Sequence, residues 1–366
     1  MRYYNIMITQ PSLKLDAYGG IATEPGTGNT IPSPNAGQPV VNPATGNPFF
    51  YTSLLPDGNT NPNALNIELD FFEGVYAMPI ESAWIRVWGV GLQDISQSAS
   101  LVGNEILLSV GMMKGLPLAN PLQAGPVLKG YINQAFGNWV GVDQTLDLFV
   151  TSSPYPVGSP AAPINMSLDW KAGQPLSDAL STTLKTAFPG LDQKIDISSD
   201  LVQTRDEPDV KNSLYEFASW LKQKTAGYLT EGYDGVDITI DQNTIHVFDN
   251  HNPASRSEMG SYDNPIQVQF QDLIGQPTWI SSGVIQIKCV MRADIGINDY
   301  ILMPKGALAT VTQQSTIGLV ANSNDYKTAF QGKFRVTLIH HIGNFRQADA
   351  ASWVTVINAS TSLGKV

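Results

Sequence analysis

The chain has 366 residues, too many for one ordinary core and enough for two or three. Charged residues make up only 14% and the formal net charge is −11, which excludes a general nucleic-acid-binding surface because no basic footprint offsets phosphate charge. Cys289 is the only cysteine, so an internal disulfide framework and a cysteine-based zinc site are excluded as well. The 32 glycines and 24 prolines favour many turns over long helices. No run of about eighteen apolar residues exists to span a membrane. The opening MRYYNIMITQPS alternates and does not read as a signal peptide, so a soluble protein made in a cytoplasm is expected.

In chain order, YYNIMIT reads as a strand stopped by Pro11. Residues 17–63 are crowded with Gly, Pro and Asn and cannot fold alone. They are either a loop or an arm that orders against a neighbouring subunit. A dense β region follows: ALNIELDFF, SAWIRVWGVG, EILLSVGMM, GYINQAF and QTLDLFVTS, with turn signals at Val102-Gly103-Asn104, Gly137-Asn138 and Gly141. Strands at this spacing suggest a small antiparallel barrel or sandwich over 1–153.

Residues 154–163 form a Pro/Gly/Ser linker. After it the period changes. Leu176, Ala179, Leu180, Leu184, Ala187 and Phe188 have helical spacing, stopped by Pro189-Gly190. IDISSDLV reads as a strand, Leu214, Phe217, Ala218 and Leu221 mark a second amphipathic helix, and DGVDITID and NTIHVFDN read as strands joined near Gln242-Asn243. Residues 164–264 are therefore an α+β middle domain. From 265 to 366 the chain returns to strands: IQVQFQDLIG, TWISSGVIQIKCVMR, DYILMPKG, GKFRVTLIHHIG and SWVTVINAS, with a long loop at 305–331.

The two β regions echo each other. LKGYINQAFGNW then TLDLFVTS parallels FQGKFRVTLIHHIGNF then SWVTVINAS: an apolar-x-Gly start, a strand, Gly-Asn-aromatic, and a closing strand. The expected fold class is mainly β with an α+β insert: two similar small antiparallel β-barrels flanking a helix-containing middle domain. The Gly-Asn pairs at Gly137-Asn138 and Gly343-Asn344 are expected as turns in corresponding places.

Residues with catalytic or metal-binding chemistry are scattered. His340 and His341 are adjacent on a strand pattern and point to opposite faces, so they do not chelate one ion. His246 reads as a paired sheet histidine and His251 lies in an Asn-rich turn. Glu231, Asp234, Asp237 and Asp241 lack the ligand spacing of a calcium hand and read as hairpin-end carboxylates. Cys289 in VIQIKCVMR reads as a buried inert thiol. Trp84, Trp88, Trp139, Trp170, Trp220, Trp279 and Trp353 read mainly as core residues. No nucleophile elbow, phosphate loop or dinucleotide fingerprint occurs. No catalytic, cofactor-binding or metal-ligating residue is assigned, and no cofactor is expected.

Three segments carry a family resemblance. GMMKGLPLANPLQAGPVLKGYINQAFGNWVGVDQTLDLFV resembles the first barrel of bacteriophage tail baseplate hub proteins. INMSLDWKAGQPLSDALSTTLKTAFPG resembles the helical segment that follows it. IQVQFQDLIGQPTWISSGVIQIKCVMRADIGINDYILMP with FQGKFRVTLIHHIGNFRQADAASWVTVINAS resembles the C-terminal barrel. The likeness covers most of 64–360 and is similar to the wider group of late-control-type tail proteins and trimeric hubs of contractile-tailed phages. It implies a non-enzymatic homotrimer whose six barrels adapt the sixfold tail tube to a threefold central spike, beside other baseplate proteins. Genomic DNA would pass through its channel without specific binding, no membrane would be involved, and the location would be the baseplate of the virion. Alternatives of a different class are a baseplate glycan hydrolase, which needs paired carboxylates in a cleft, and a host-sugar-binding tail module, which needs aromatics exposed on one sheet face.

Overall fold

The structure, a computed structural model of the chain, describes residues 1–12, 14, 22, 24, 31–76, 82–113, 120–153, 166–241, 244–249, 259–281, 283–304, 330 and 332–361. The 154–163 linker, the Gln242-Asn243 junction, His251 and nearly all of the 305–331 loop lie outside the described residues.

The first strands are β1 (Arg2–Thr9), β2 (Phe50–Thr52), β3 (Asn66–Glu73), β4 (Ala83–Trp88), β5 (Glu105–Met112), β6 (Gly125–Val140) and β7 (Asp143–Thr151), with a four-residue helix α1 (Leu92–Ile95) between β4 and β5. They lie in the order β2-β1-β5-β6-β7-β4-β3, each pair antiparallel. Period-two patterning sets the faces. On β4, Ala83, Ile85 and Val87 are buried, while Trp84, Arg86 and Trp88 lie on the other face. The core includes Ile6, Ile8, Leu69, Ile85, Ile106, Leu108, Leu146 and Leu148. Each such side chain contributes about 1.5–3 kcal/mol through burial.

The middle unit holds β8 (Met166–Trp170), α2 (Leu176–Ala187), β9 (Asp192–Asp196), β10 (Glu207–Lys211), α3 (Leu214–Thr225), β11 (Val236–Asp241) and β12 (Thr244–Asp249). β8 pairs antiparallel with β10, and β12 lies between antiparallel β11 and parallel β9. The helices bury the residues their spacing predicts: Leu176, Ala179, Leu180 and Leu184 on α2, and Leu214, Phe217, Ala218 and Leu221 on α3. Ser213 caps α3 by accepting from the Glu216 N–H. The unit is tied to the end of β3, where the Tyr76 N–H donates to the Ile238 carbonyl and the Thr239 hydroxyl to the Gly74 carbonyl.

The last strands are β13 (Ile266–Gln267), β14 (Thr278–Ser281), β15 (Val284–Val290), β16 (Tyr300–Leu302), β17 (Lys333–Asn344) and β18 (Trp353–Thr361). Their order is β13-β16-β17-β18-β15-β14. Without β2, the first unit reads β1-β5-β6-β7-β4-β3, the same order when the strands of each unit are ranked along the chain, so that β1, β3, β4, β5, β6 and β7 match β13 to β18 in turn. The match extends to single residues. Gly103 donates to the Ile132 carbonyl and Ile132 to the Asn104 carbonyl; Asn298 donates to the Val336 carbonyl and Val336 to the Asp299 carbonyl. Gly103 and Asn298 both hold left-handed backbone, at φ 80° and 72°, a conformation that glycine and asparagine tolerate. Just beyond, the β6–β7 ladder slips between Ile132 and Gln134, and the β17–β18 ladder between Val336 and Leu338. One pairing differs: β1 runs antiparallel to β5, but the short β13 runs parallel to β16.

The two units share one 13-stranded sheet. β17 offers a single edge to two strands, Lys333–Arg335 to β16 and Ile339–Asn344 to β3. Separate cores lie on either side of that junction, and Trp353 and Met291 from the second unit pack into the first core.

Several expectations need correction. Gly137-Asn138 lies inside β6, and the turn is the two-residue loop Gly141-Val142 between Val140 and Asp143. Gly137 is there for close approach: a Cβ would sit 2.2 Å from a side-chain carbon of Ile95. Gly343-Asn344 ends β17, and the position that matches it on β6 is Trp139-Val140. IDISSDLV is not the strand; β9 starts three residues earlier, at Asp192. TWISSGVIQIKCVMR splits into β14 and β15, and IQVQFQDLIG gives only the short β13 followed by a single helical turn at 270–272. The described part of 17–63 packs on its own chain. Val40, Phe49 and Tyr51 enter the first core, and β2 pairs with β1.

Arg2 closes the first unit. Its guanidinium donates to the carbonyls of Asn344 (2.7 Å), Phe345 (3.1 Å), Gln347 and Asp349 (2.7 Å) and to the Ser352 hydroxyl (2.9 Å). The N-terminal strand is thereby fastened to the β17–β18 connection, 342 residues away in sequence. Arg2→Ala is expected to cost about 2 kcal/mol, because charged donors to several carbonyls are lost at once. Urea unfolding measures it, and an unchanged midpoint would remove Arg2 from this role.

Candidate functional site

His340 and His341 do point to opposite faces of β17. The His340 ring stacks on Phe72 with centroids 3.8 Å apart, and its Nε2 lies 2.5 Å from Asp70 Oδ1. His341 is buried; its Nε2 lies 3.0 Å from Glu73 Oε1 and its Nδ1 3.1 Å from Thr355 Oγ1. Hydroxyl, imidazole and carboxylate thus stand in the order of a nucleophile, its base and an orienting acid. Thr355 has 0% exposure, however, and its oxygen also accepts from the Arg292 N–H (3.0 Å). No substrate atom can reach it, so the arrangement pins β3, β17 and β18 together.

The other candidates are structural contacts. His246 Nε2 lies 3.0 Å from Asp196 Oδ2, across the parallel β12–β9 pair. Asp237 receives the Lys222 ammonium at 2.7 and 2.9 Å, joining α3 to β11. The Asp241 side chain lies outside the described residues. Among the described residues no group of three His, Cys, Asp or Glu side chains could hold a metal ion. Cys289 is fully buried, and burial pushes its thiol up to about 12.

Sequence reading missed two polar clusters because their members are far apart in the chain. Arg292 is buried with Asp272 and Asp294: Nη1 lies 3.2 Å from Asp272 Oδ2, and Nε and Nη2 each 2.7 Å from Asp294 oxygens. On the solvent side of the first sheet, Arg86 lies between the Trp84 and Trp88 rings at 5.0 and 5.5 Å and donates to the buried Asp147 at 2.7 Å. Trp170 and Trp353 are core residues as expected, whereas Trp139 is 63% exposed at the hairpin tip.

A charged groove lies between β10 and α3, lined by Arg205, Glu207, Asp209, Trp220 and Lys224. Lys224 pairs with Glu207 at 2.6 Å, Arg205 with Glu207 at 3.4 Å, and Lys211 with Asp209 at 2.8 Å. The β10 edge beside it is blunted. Pro208 has no N–H, and the Val210 N–H is taken by the Asp209 carboxylate at 2.7 Å.

The feature with functional reach is the junction of the two units. Along it Phe72 meets His340, Phe71 meets His341, and Asn344 donates to Glu68 at 2.7 Å. Trp353 Nε1 donates to the Gly111 carbonyl at 3.0 Å, and Arg346 to the Ala64 carbonyl at 2.5 Å. The junction fixes how one unit stands against the other.

No family model matches the chain, and no curated protein matches it. Among solved structures it is similar to the 43 kDa tail protein of prophage MuSo2 from Shewanella oneidensis, at 8% identity and a TM-score of 0.43, over 86% of this chain and 94% of that one. It is similar to a tail protein from Neisseria meningitidis MC58, at 8% identity and a TM-score of 0.42, over 83% and 94%. It is also similar to prophage tail protein gp18 from Listeria monocytogenes EGD-e, at 8% identity and a TM-score of 0.37, over 81% and 89%.

Two outcomes follow from the buried groups. Arg292→Met leaves Asp272 as an uncompensated buried charge and is expected to cost about 3–5 kcal/mol in urea unfolding, part of it recovered by Arg292→Met with Asp272→Asn. A loss below about 1 kcal/mol would show that Asp272 has other support. Cys289 is expected to resist thiol reagents at pH 8 until urea unfolds the chain, since its thiolate is not populated there. Labelling of the folded protein within minutes would contradict its burial.

Proposed function

We propose that the protein is a structural baseplate hub of a bacteriophage tail, a trimeric ring of six small barrels that adapts a sixfold tube to a threefold spike. The observation that carries this reading is the shared strand order of the two β units, down to the paired bonds at Ile132 and Val336. A trimer offers three copies of any one surface. A chain that presents the same unit twice offers six.

The resemblance of 64–360 to hub proteins supports the same reading. So does the character of the His341, Arg292 and Arg86 clusters, which join strands and their connections. The net charge of −11 per chain fits a channel that lets phosphate pass without holding it. The middle domain then sits beside the ring, where helices need not follow its pseudo-sixfold pattern.

The test is the mass of the purified protein in solution by light scattering. The expected value is three times the 39.6 kDa of one chain. A stable monomer or dimer at tens of micromolar would contradict the hub reading, as would hydrolysis of peptidoglycan by the pure protein.

A further inference from the structure

The junction within the chain specifies a second one between chains. In the first unit β3 is the edge strand, and it pairs with Ile339–Asn344 of β17 in the second unit. By strand order β3 corresponds to β14, and β17 corresponds to β6. β14 ends the path of the common sheet and, among the described residues, is paired as a strand with β15 alone. On β6, β5 takes only residues up to Tyr131, and among the described residues no strand pairs with Ala135–Val140 on that edge. One free edge therefore matches β3, and one free stretch matches the part of β17 that receives it.

The register follows from the ladders. Ile132 and Val336 are equivalent, so Phe136, Gly137 and Asn138 stand where β17 has His340, His341 and Ile342. Asp70 lies opposite Trp84, and Thr278 lies opposite Gln286 at the matching place on β15. Thr278 and Trp279 then stand where β3 has Asp70 and Phe71; beyond them the β14–β15 ladder slips at Ile280, between Trp279 and Ser281. Within the chain, Phe72 faces His340 and Phe71 faces His341.

We infer that β14 of one subunit adds antiparallel to Ala135–Val140 of the next, with Trp279 opposite Gly137 and Thr278 opposite Asn138. The occupant of both edges is a second copy of this chain. This rests on the hub reading and names the surface that builds its ring. The side chains agree with it. Ile280 is 49% exposed, and Phe136, whose ring stacks on Phe149 with centroids 5.8 Å apart, is 42% exposed. Trp139, exposed at 63%, and Val140, exposed at 74%, add apolar surface to the same stretch of β6. Ile95 fills the space where a Gly137 side chain would project, which gives the facing Trp279 an apolar neighbour. The contact joins unlike surfaces head to tail, so it ends only by closing a ring. In the hub reading three chains close the ring, and the β14 edge and the Ala135–Val140 stretch of each chain are then paired.

Asn138→Cys with Thr278→Cys in one chain tests the pairing. Directly opposed antiparallel residues have Cα atoms about 4.5–5.5 Å apart, within disulfide reach, and Cys289 is too buried to compete. Mild oxidation is expected to give a covalent trimer as the largest species on a non-reducing gel, with no such band from either single variant. A trimer by light scattering with no covalent link in the double variant would overturn this pairing and leave the hub reading standing. A ladder extending beyond three chains would overturn ring closure. A wild-type protein that stays monomeric would remove the hub reading and the pairing together. Ile280→Lys adds a readout independent of cysteine chemistry: trimer mass is expected to be lost with the melting temperature of the isolated chain unchanged, and a retained trimer would count against the interface.

Discussion

An unpaired sheet edge exposes a row of N–H and C=O groups that will pair with any strand able to reach them. β17 meets this constraint by being long enough for two partners, β16 along Lys333–Arg335 and β3 along Ile339–Asn344. Its second half converts two small sheets into one and sets the relation of the two units. Register there is strict, because a slip of one residue would send His341 out to solvent and His340 into the core. The cost of that slip is raised by the contacts on both faces: Asp70 and Phe72 hold His340, while Glu73 and Thr355 hold His341.

Polar pins recur where elements distant in sequence meet. Arg2 spans from the first strand to the β17–β18 connection, Arg292 joins the β13–β14 connection to the β15–β16 connection, and Lys222 with Asp237 joins α3 to β11. Buried ion pairs of this kind add little net stability over apolar replacements, but breaking one partner is costly. In a chain with few charges, placing them at joints specifies which strands meet. The apolar cores on either side supply most of the stability and little of the choice.

Strand alternation was legible wherever one face is buried, as in YYNIMIT, AWIRVW and FRVTLIHHIG, and helix spacing was legible in α2 and α3. The duplication was legible as an echo between the β6–β7 and β17–β18 segments. What failed has physical causes. β8 and β10 are five-residue strands, one carrying Pro208, too short and irregular for a period to show. Gly137 was misread because glycine marks close approach as well as turns, and Ile95 is contributed by a different segment. Most of the 31–63 stretch looked unable to bury surface, yet Val40, Phe49 and Tyr51 are enough to seat it on β1. The Arg292 and Arg86 clusters had no sequence signature at all, since their members come together only in the folded sheet.

In the proposed ring, the same edge logic that joins β3 to β17 within a chain operates between chains, so six units stand at one radius although only three chains are present. Image averaging of the purified oligomer viewed down its axis by electron microscopy tests that claim most directly. The account predicts six lobes of similar size around a central channel, alternating so that only threefold symmetry is exact. Three lobes at one radius with the remaining density displaced, or any symmetry other than threefold, would contradict it.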